Sequence, residues 1–212
     1  MKKIKILLIV FSLFTTYLHS SEGDFVLAAS FQRFGESGSI NDVHITGGLS
    51  ELGLYSGFNI YKNSESKIGF YFGSVISFPV ASSFIANYQN NGKKDFAISL
   101  NSLIGPSFRL INNENFRMQL APIANIGFEI EKGQLYKIDY FYKGFLLGFG
   151  ANLDMSLVSS KEKTFGWGTS LSVQPFYKPF LDTSEKDPDI KFDSYARVIF
   201  NIYLGIHFHG SM

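Results

Sequence analysis

The chain has 212 residues, a formal net charge of +1, 17% aromatic residues with 23 Phe and 11 Tyr, 20 Gly and no Cys. Without Cys there are no disulfides, thiolate metal sites, thiol chemistry or lipoprotein acylation, and a near-neutral charge excludes an electrostatic fit to nucleic acid. Wealth in β- and turn-formers, with a mean hydropathy of +0.07, excludes a bundle of membrane helices.

The first element, MKKIKILLIVFSLFTTYLHS, reads as a targeting segment. Lys2, Lys3 and Lys5 precede a compact apolar run from Ile6 to Phe14, and Ser20 and Ser21 follow. That is the layout of a secretory signal peptide, and the apolar run is shorter than the roughly 20 residues a spanning helix needs. Residues 1–20 are therefore expected to be removed. Their loss takes away three lysines and no acid, which leaves the chain near −2.

Eight runs of period-two alternation follow, each the mark of a strand with one oily face. The first, about Asp24 to Phe34, turns Phe25, Leu27, Ala29 and Phe31 to one side. The second, about Gly48 to Tyr61, carries Leu52, Leu54, Phe58 and Ile60. The third runs from about Lys67 to Phe78 with Ile68, Phe70, Phe72, Ile76 and Phe78, and the fourth from about Phe96 to Leu110 with Phe96, Ile98, Leu100, Ile104, Phe108 and Leu110. The fifth, about Phe116 to Ile130, shows Met118, Leu120, Ala124, Ile126 and Phe128. The sixth, about Asp139 to Val158, shows Phe145, Leu147, Phe149, Leu153 and Leu157. The seventh, about Phe165 to Lys178, has Phe165, Trp167, Leu171 and Val173; the eighth, Ser194 to His209, has Ala196, Val198, Phe200, Ile202, Leu204, Ile206 and Phe208.

The links alternate in length. Lys62–Ser66, Asn112–Asn115 and Ser159–Lys163 are short and polar. The other four are longer: loop one is about Gly35 to Gly47, loop two Pro79 to Asp95, loop three Glu131 to Ile138 and loop four Pro179 to Lys191. Four long connections on one side and three tight ones on the other place both chain ends on the tight side.

Strands of a soluble sandwich average about five or six residues, whereas these exceed the roughly 9–11 a tilted strand needs to cross a bilayer. In hydrocarbon every backbone donor and acceptor must be paired internally, which a sheet achieves only by closing on itself. The alternate faces agree. Ser99, Asn101, Gly105 and Ser107 on the fourth run, Gly148, Gly150, Asn152 and Asp154 on the sixth, and Gly166, Gly168, Ser170 and Ser172 on the seventh are small or hydrogen-bonding. The bulky set is thus the exterior. Aromatics near strand ends, among them Phe25, Tyr61, Phe78, Phe96, Trp167 and Phe208, fit the lipid–water boundary.

In this layout the chain resembles the small eight-stranded bacterial outer-membrane barrels, such as the OmpA transmembrane domain, OmpX and OmpW. The resemblance covers the whole mature chain and matches no diagnostic motif. It implies an all-β, eight-stranded antiparallel up-and-down transmembrane β-barrel over residues 21–212, in the cell outer membrane with both termini periplasmic. Outer-membrane lipids and the barrel-assembly machinery are the partners it implies. Tyr203, Gly205 and Phe208 approximate the terminal aromatic signal of such barrels, with His209, Gly210, Ser211 and Met212 following.

The lumen then holds a charge network. Glu51, Glu129 and Arg197 fall in the outer half, while Arg109, Arg117 and Asp154 fall in the periplasmic half with His207. Arg109 and Arg117 flank one tight turn and Asp154 comes from the next strand, so an arginine fork on a carboxylate is expected there; Arg197 with Glu51 or Glu129 is the expected upper pair. Eight strands enclose a lumen that side chains can fill, so a largely plugged interior is expected.

Chemistry is sparse. No HExxH, GxSxG or phosphate-loop spacing occurs, and no cofactor is implied. His207 and His209 share a face, but a closed structural metal site wants four ligands, so no metal is expected. Some small outer-membrane barrels are lipid A palmitoyltransferases or deacylases, and His44 lies beside Asp42 and near Ser50; three common residue types do not establish a triad, and no catalytic residue is assigned. Loop four carries Asp182, Glu185, Asp187 and Asp189, a candidate surface for a host or extracellular protein. A structural and adhesive barrel is the leading expectation; a narrow porin-like channel and a lipid-modifying enzyme are the alternatives.

Overall fold

A computed structural model of the protein describes residues 22–40, 43–86, 89–135, 138–158, 163–182 and 192–211. The expected signal segment, Asp42, and Glu185, Asp187 and Asp189 of loop four lie outside the described residues. Eight strands occur in chain order: β1 (Glu22–Ile40), β2 (Val43–Tyr61), β3 (Ile68–Ala86), β4 (Gln89–Asn112), β5 (Phe116–Leu135), β6 (Ile138–Val158), β7 (Lys163–Asp182) and β8 (Phe192–Ser211). Each pairs antiparallel with its sequence neighbours, and β8 pairs with β1, so the sheet closes. Closure removes the edges that would otherwise leave a row of unpaired backbone groups.

The stagger of that closure can be followed in the register. From Phe208 on β8 the pairing runs through Phe25, Phe58, Phe72, Ile104, Ala124, Phe149 and Val173, and returns to β8 at Val198, ten residues from where it left. A shear of this size in an eight-stranded barrel tilts the strands by about 40° and leaves an interior just wide enough for side chains to fill.

Alternation decides which side chains fill it. Leu54 is 66% exposed and Tyr55 0%; Ile202 is 46% exposed and Tyr203 0%. The same parity holds around the wall, so Leu27, Phe72, Leu100, Phe128, Phe149, Leu171 and Phe200 point out while Asn, Ser, Gln, Tyr and charged residues point in. An apolar exterior this continuous is far larger than the few hundred Å² that water-facing proteins tolerate, and it suits hydrocarbon. One boundary aromatic departs from expectation: Tyr61 is fully buried in the lumen, where Ser107 and Gln119 satisfy its hydroxyl.

The strands are longer than their alternation indicates, 19 to 24 residues, because pairing continues through the segments expected as loops. β1 and β2 pair up to Ile40 and Val43, β3 and β4 up to Ala86 and Gln89, and β5 and β6 up to Leu135 and Ile138. Beyond the lipid both faces of a hairpin are wet, so its side chains need no alternation, while the backbone still gains by pairing. Loops one, two and three are thus largely strand. Most register shifts, including those at Ser39/Ile40, Ser50/Glu51, Phe84/Ile85 and Lys94/Phe96, sit in this far part of the wall, as bulges do at barrel rims.

Candidate functional site

Among the described residues, buried charge gathers in the lumen, which is filled in three layers. The lowest lies at the end of the barrel that carries residues 22 and 211. Asp24 on β1 is its hub. Its Oδ1 accepts from Nη1 of Arg117 at 3.2 Å and lies 2.5 Å from Nδ1 of His209, while its Oδ2 accepts from Nε2 of Gln119 at 2.5 Å. The other ring nitrogen of His209 sits 2.8 Å from the Thr164 hydroxyl. Asp24 and Arg117 come from β1 and β5, which face each other across the cylinder, so the pair spans the mouth.

Arg109 on β4 closes the same layer from another side. Its Nη1 is 3.2 Å from a Glu22 carboxylate oxygen and donates to the Ser64 carbonyl at 3.0 Å. Its guanidinium lies 3.7 Å from the centroid of the Tyr61 ring, a cation–π contact that a buried arginine exploits well. The fork expected between Arg109, Arg117 and Asp154 does not form: Arg117 takes Asp24, Arg109 takes Glu22, and Asp154 faces His207 with Oδ1 and Nε2 3.5 Å apart. The stagger sets this choice, since it brings β1 and β5 groups level and leaves Asp154 higher, beside β8.

The middle layer is apolar and aromatic. Val26, Ala28, Tyr55, Tyr71, Val75, Leu103, Ala121, Ile123 and Tyr203 form one buried cluster. Tyr55 and Tyr203 stack with ring centroids 3.9 Å apart and planes at 14°. The Tyr55 and Tyr71 hydroxyls are 2.5 Å apart, and Nδ2 of Asn152 donates to the Tyr203 hydroxyl at 3.1 Å. The rings lie along the wall in hollows made by glycine: a Cβ at Gly57, Gly73 or Gly168 would overlap Tyr55, Tyr71 and Tyr203 respectively. Tyrosine suits this position because its body fills volume and its hydroxyl finds a partner.

The top layer mixes charge with hydrocarbon. Nη2 of Arg197 on β8 meets a Glu129 carboxylate oxygen on β5 at 2.7 Å, both side chains fully buried. The Arg197 guanidinium lies 4.8 Å from the Phe34 ring centroid, and Phe34 packs with Leu49, Ala97 and Ile199. Glu51 accepts from the Ser77 hydroxyl and, at 2.9 Å, from that of Ser99. The Gln174 amide donates to Asn101 at 3.3 Å. Of the two acids that the sequence offers to Arg197, Glu129 forms an ion pair with it.

Sequence reasoning missed Glu22, Asp24 and the Tyr55, Tyr71 and Tyr203 layer. Parity could have found them, because Asp24 alternates with Phe25 and Tyr203 with Leu204; what it could not supply is their partners. Asp182 is the last residue of β7, and His44 lies on β2 with its backbone opposite Ser39. No group of three or more His, Asp or Glu able to hold a metal occurs among the described residues; His207 and His209 lie with ring centroids 6.3 Å apart, each facing an acid.

No protein-family model matches the chain, and no curated protein matches it in sequence. Solved structures match it in fold. The outer membrane protein OprG from Pseudomonas aeruginosa superposes with a TM-score of 0.58 at 10% identity, covering 90% of this chain and 97% of that one. Ail, the attachment invasion locus protein of Yersinia pestis, superposes with a TM-score of 0.52 at 12% identity, covering 89% and 99%. The chain shares their architecture, that of small outer-membrane barrels.

Proposed function

We propose that the protein is a closed structural barrel of the outer membrane, with its chain ends in the periplasm, whose far-end segments carry an adhesive role. The observation that carries this reading is the middle layer: six of the eight strands contribute to one packed apolar cluster across the lumen, and Asn152 of a seventh bonds to it. A filled cross-section leaves transport of solutes no continuous wet path, so a scaffold reading is favoured over a channel. Membrane lipids and the assembly machinery are the partners this reading requires. No catalytic role is assigned to Asp42, His44 or Ser50 in it.

Planar-bilayer recording of the refolded protein tests the closed lumen. No discrete single-channel steps are expected from the wild type, and steps in it would overturn the reading in favour of the narrow channel. The adhesive part is carried by the acidic loop-four segment with Asp182, Glu185, Asp187 and Asp189. Deleting residues 183–191 is expected to leave insertion intact and to remove binding to host-cell or matrix protein; unchanged binding would move the adhesive surface elsewhere.

A further inference from the structure

Among the described side chains, the charges on the outside of the wall are of one sign. Among the described strand side chains, the charged groups turned outward are Arg33 on β1, Lys132 on β5 and Lys143 on β6. The acids Asp24, Glu51, Glu129, Glu131 and Asp154 are all buried inside. The three cations also share one half of the barrel, the half away from the chain ends. Two of them are neighbours: Lys132 pairs with Phe141 and Ile130 with Lys143, so the lysines are diagonal on adjacent strands, a separation of about 7–8 Å. Neither forms an ion pair among the described residues. The Lys143 ammonium stands 5.9 Å from the Phe141 ring centroid, at the limit of a cation–π contact.

Like charges placed this close repel, and a bridging anion reverses the sign of that interaction. Directly below them the wall is apolar: Ile130, then Phe128 opposite Phe145. An anionic head at the height of the lysines with hydrocarbon beneath it matches this arrangement in both charge and polarity. We propose that Lys132 and Lys143 clamp the phosphate of an anionic membrane lipid, whose acyl chain lies on Ile130, Phe128 and Phe145. The proposal rests on the membrane-barrel reading above.

The test uses the full mature barrel in nanodiscs with equal phosphatidylglycerol and phosphatidylcholine, followed by measurement of the lipids that stay bound through detergent extraction. Phosphatidylglycerol is expected to be enriched at least about fivefold over phosphatidylcholine, since each lysine near a surface favours an anionic lipid by roughly a factor of five. The enrichment should fall severalfold in K132Q/K143Q and persist in K132R/K143R. Equal retention of both lipids by the wild type, or a ratio unchanged in K132Q/K143Q, would overturn the proposal. So would loss of the preference on adding millimolar inorganic phosphate, which would indicate a site for a soluble anion. Heat-modifiable gel mobility of the same samples separates the two readings: a wild type that never shows a folded band fails as a membrane barrel and takes the lipid site with it, whereas a folded wild type without lipid preference fails the lipid site alone.

Discussion

Tyr203 shows how little freedom a lumen residue has. Its ring stacks on Tyr55, its hydroxyl bonds to Asn152, and the space it occupies exists because Gly168 opposite it has no side chain. Gly168→Ala is therefore expected to destabilise the barrel by about 1–3 kcal/mol, the usual cost of overpacking. Gly35→Ala, where an added Cβ meets nothing within 4 Å, should be near neutral; urea unfolding in lipid compares the two. At this scale the sequence is half legible. That Glu51, Glu129, Arg197, Arg109 and Asp154 face inward follows from parity alone. That Arg117 meets Asp24, 93 positions away, follows from the stagger of the whole ring, which no local stretch encodes.

Along an element, the lipid face and the lumen face obey different rules. β8 alternates without interruption from Ala196 to Phe208, so depth in the bilayer alone should grade its tolerance. Leu204→Arg, on the wall near mid-height, is expected to cost about 2–4 kcal/mol, and Ala196→Arg, at the far boundary, about 0–1 kcal/mol; equilibrium unfolding of each variant in vesicles reads the difference. Alternation is also why the eight strands are legible and their far ends are not. Lipid imposes the oily face only within its own thickness, and above it β1 and β2 go on pairing with residues such as Gly35, Ser37, Thr46 and Gly47 that carry no pattern. On β7 parity holds through Gln174, and above it the register against β6 shifts between Leu147 and Phe149.

For the molecule as a whole, closure of β8 onto β1 in a single register is directly testable. The chain contains no Cys, so a designed pair reports without interference. Ala29→Cys with Leu204→Cys joins directly opposed positions of β1 and β8, whose Cα separation of about 4.5–5.5 Å suits a disulfide. Oxidation is expected to bridge this pair readily and to leave Ala29→Cys with Phe200→Cys unbridged, as judged by mobility on non-reducing gels. The fold class is legible at this scale because strand length, even number and inside-out polarity all point to one solution; the three-layer filling is not, because it depends on which side chains the tilt brings level.

The contact between His209 and Asp24 joins residues 185 positions apart. All of the chain between β1 and β8 must be threaded before the two can meet, and contacts this remote form late. A product that stops just short of His209 would retain almost all of its ladder yet leave the Asp24 carboxylate without one of its three partners at the opening. The Asp24–His209 contact thus fastens the β1–β8 seam at this mouth with side chains as well as with its ladder.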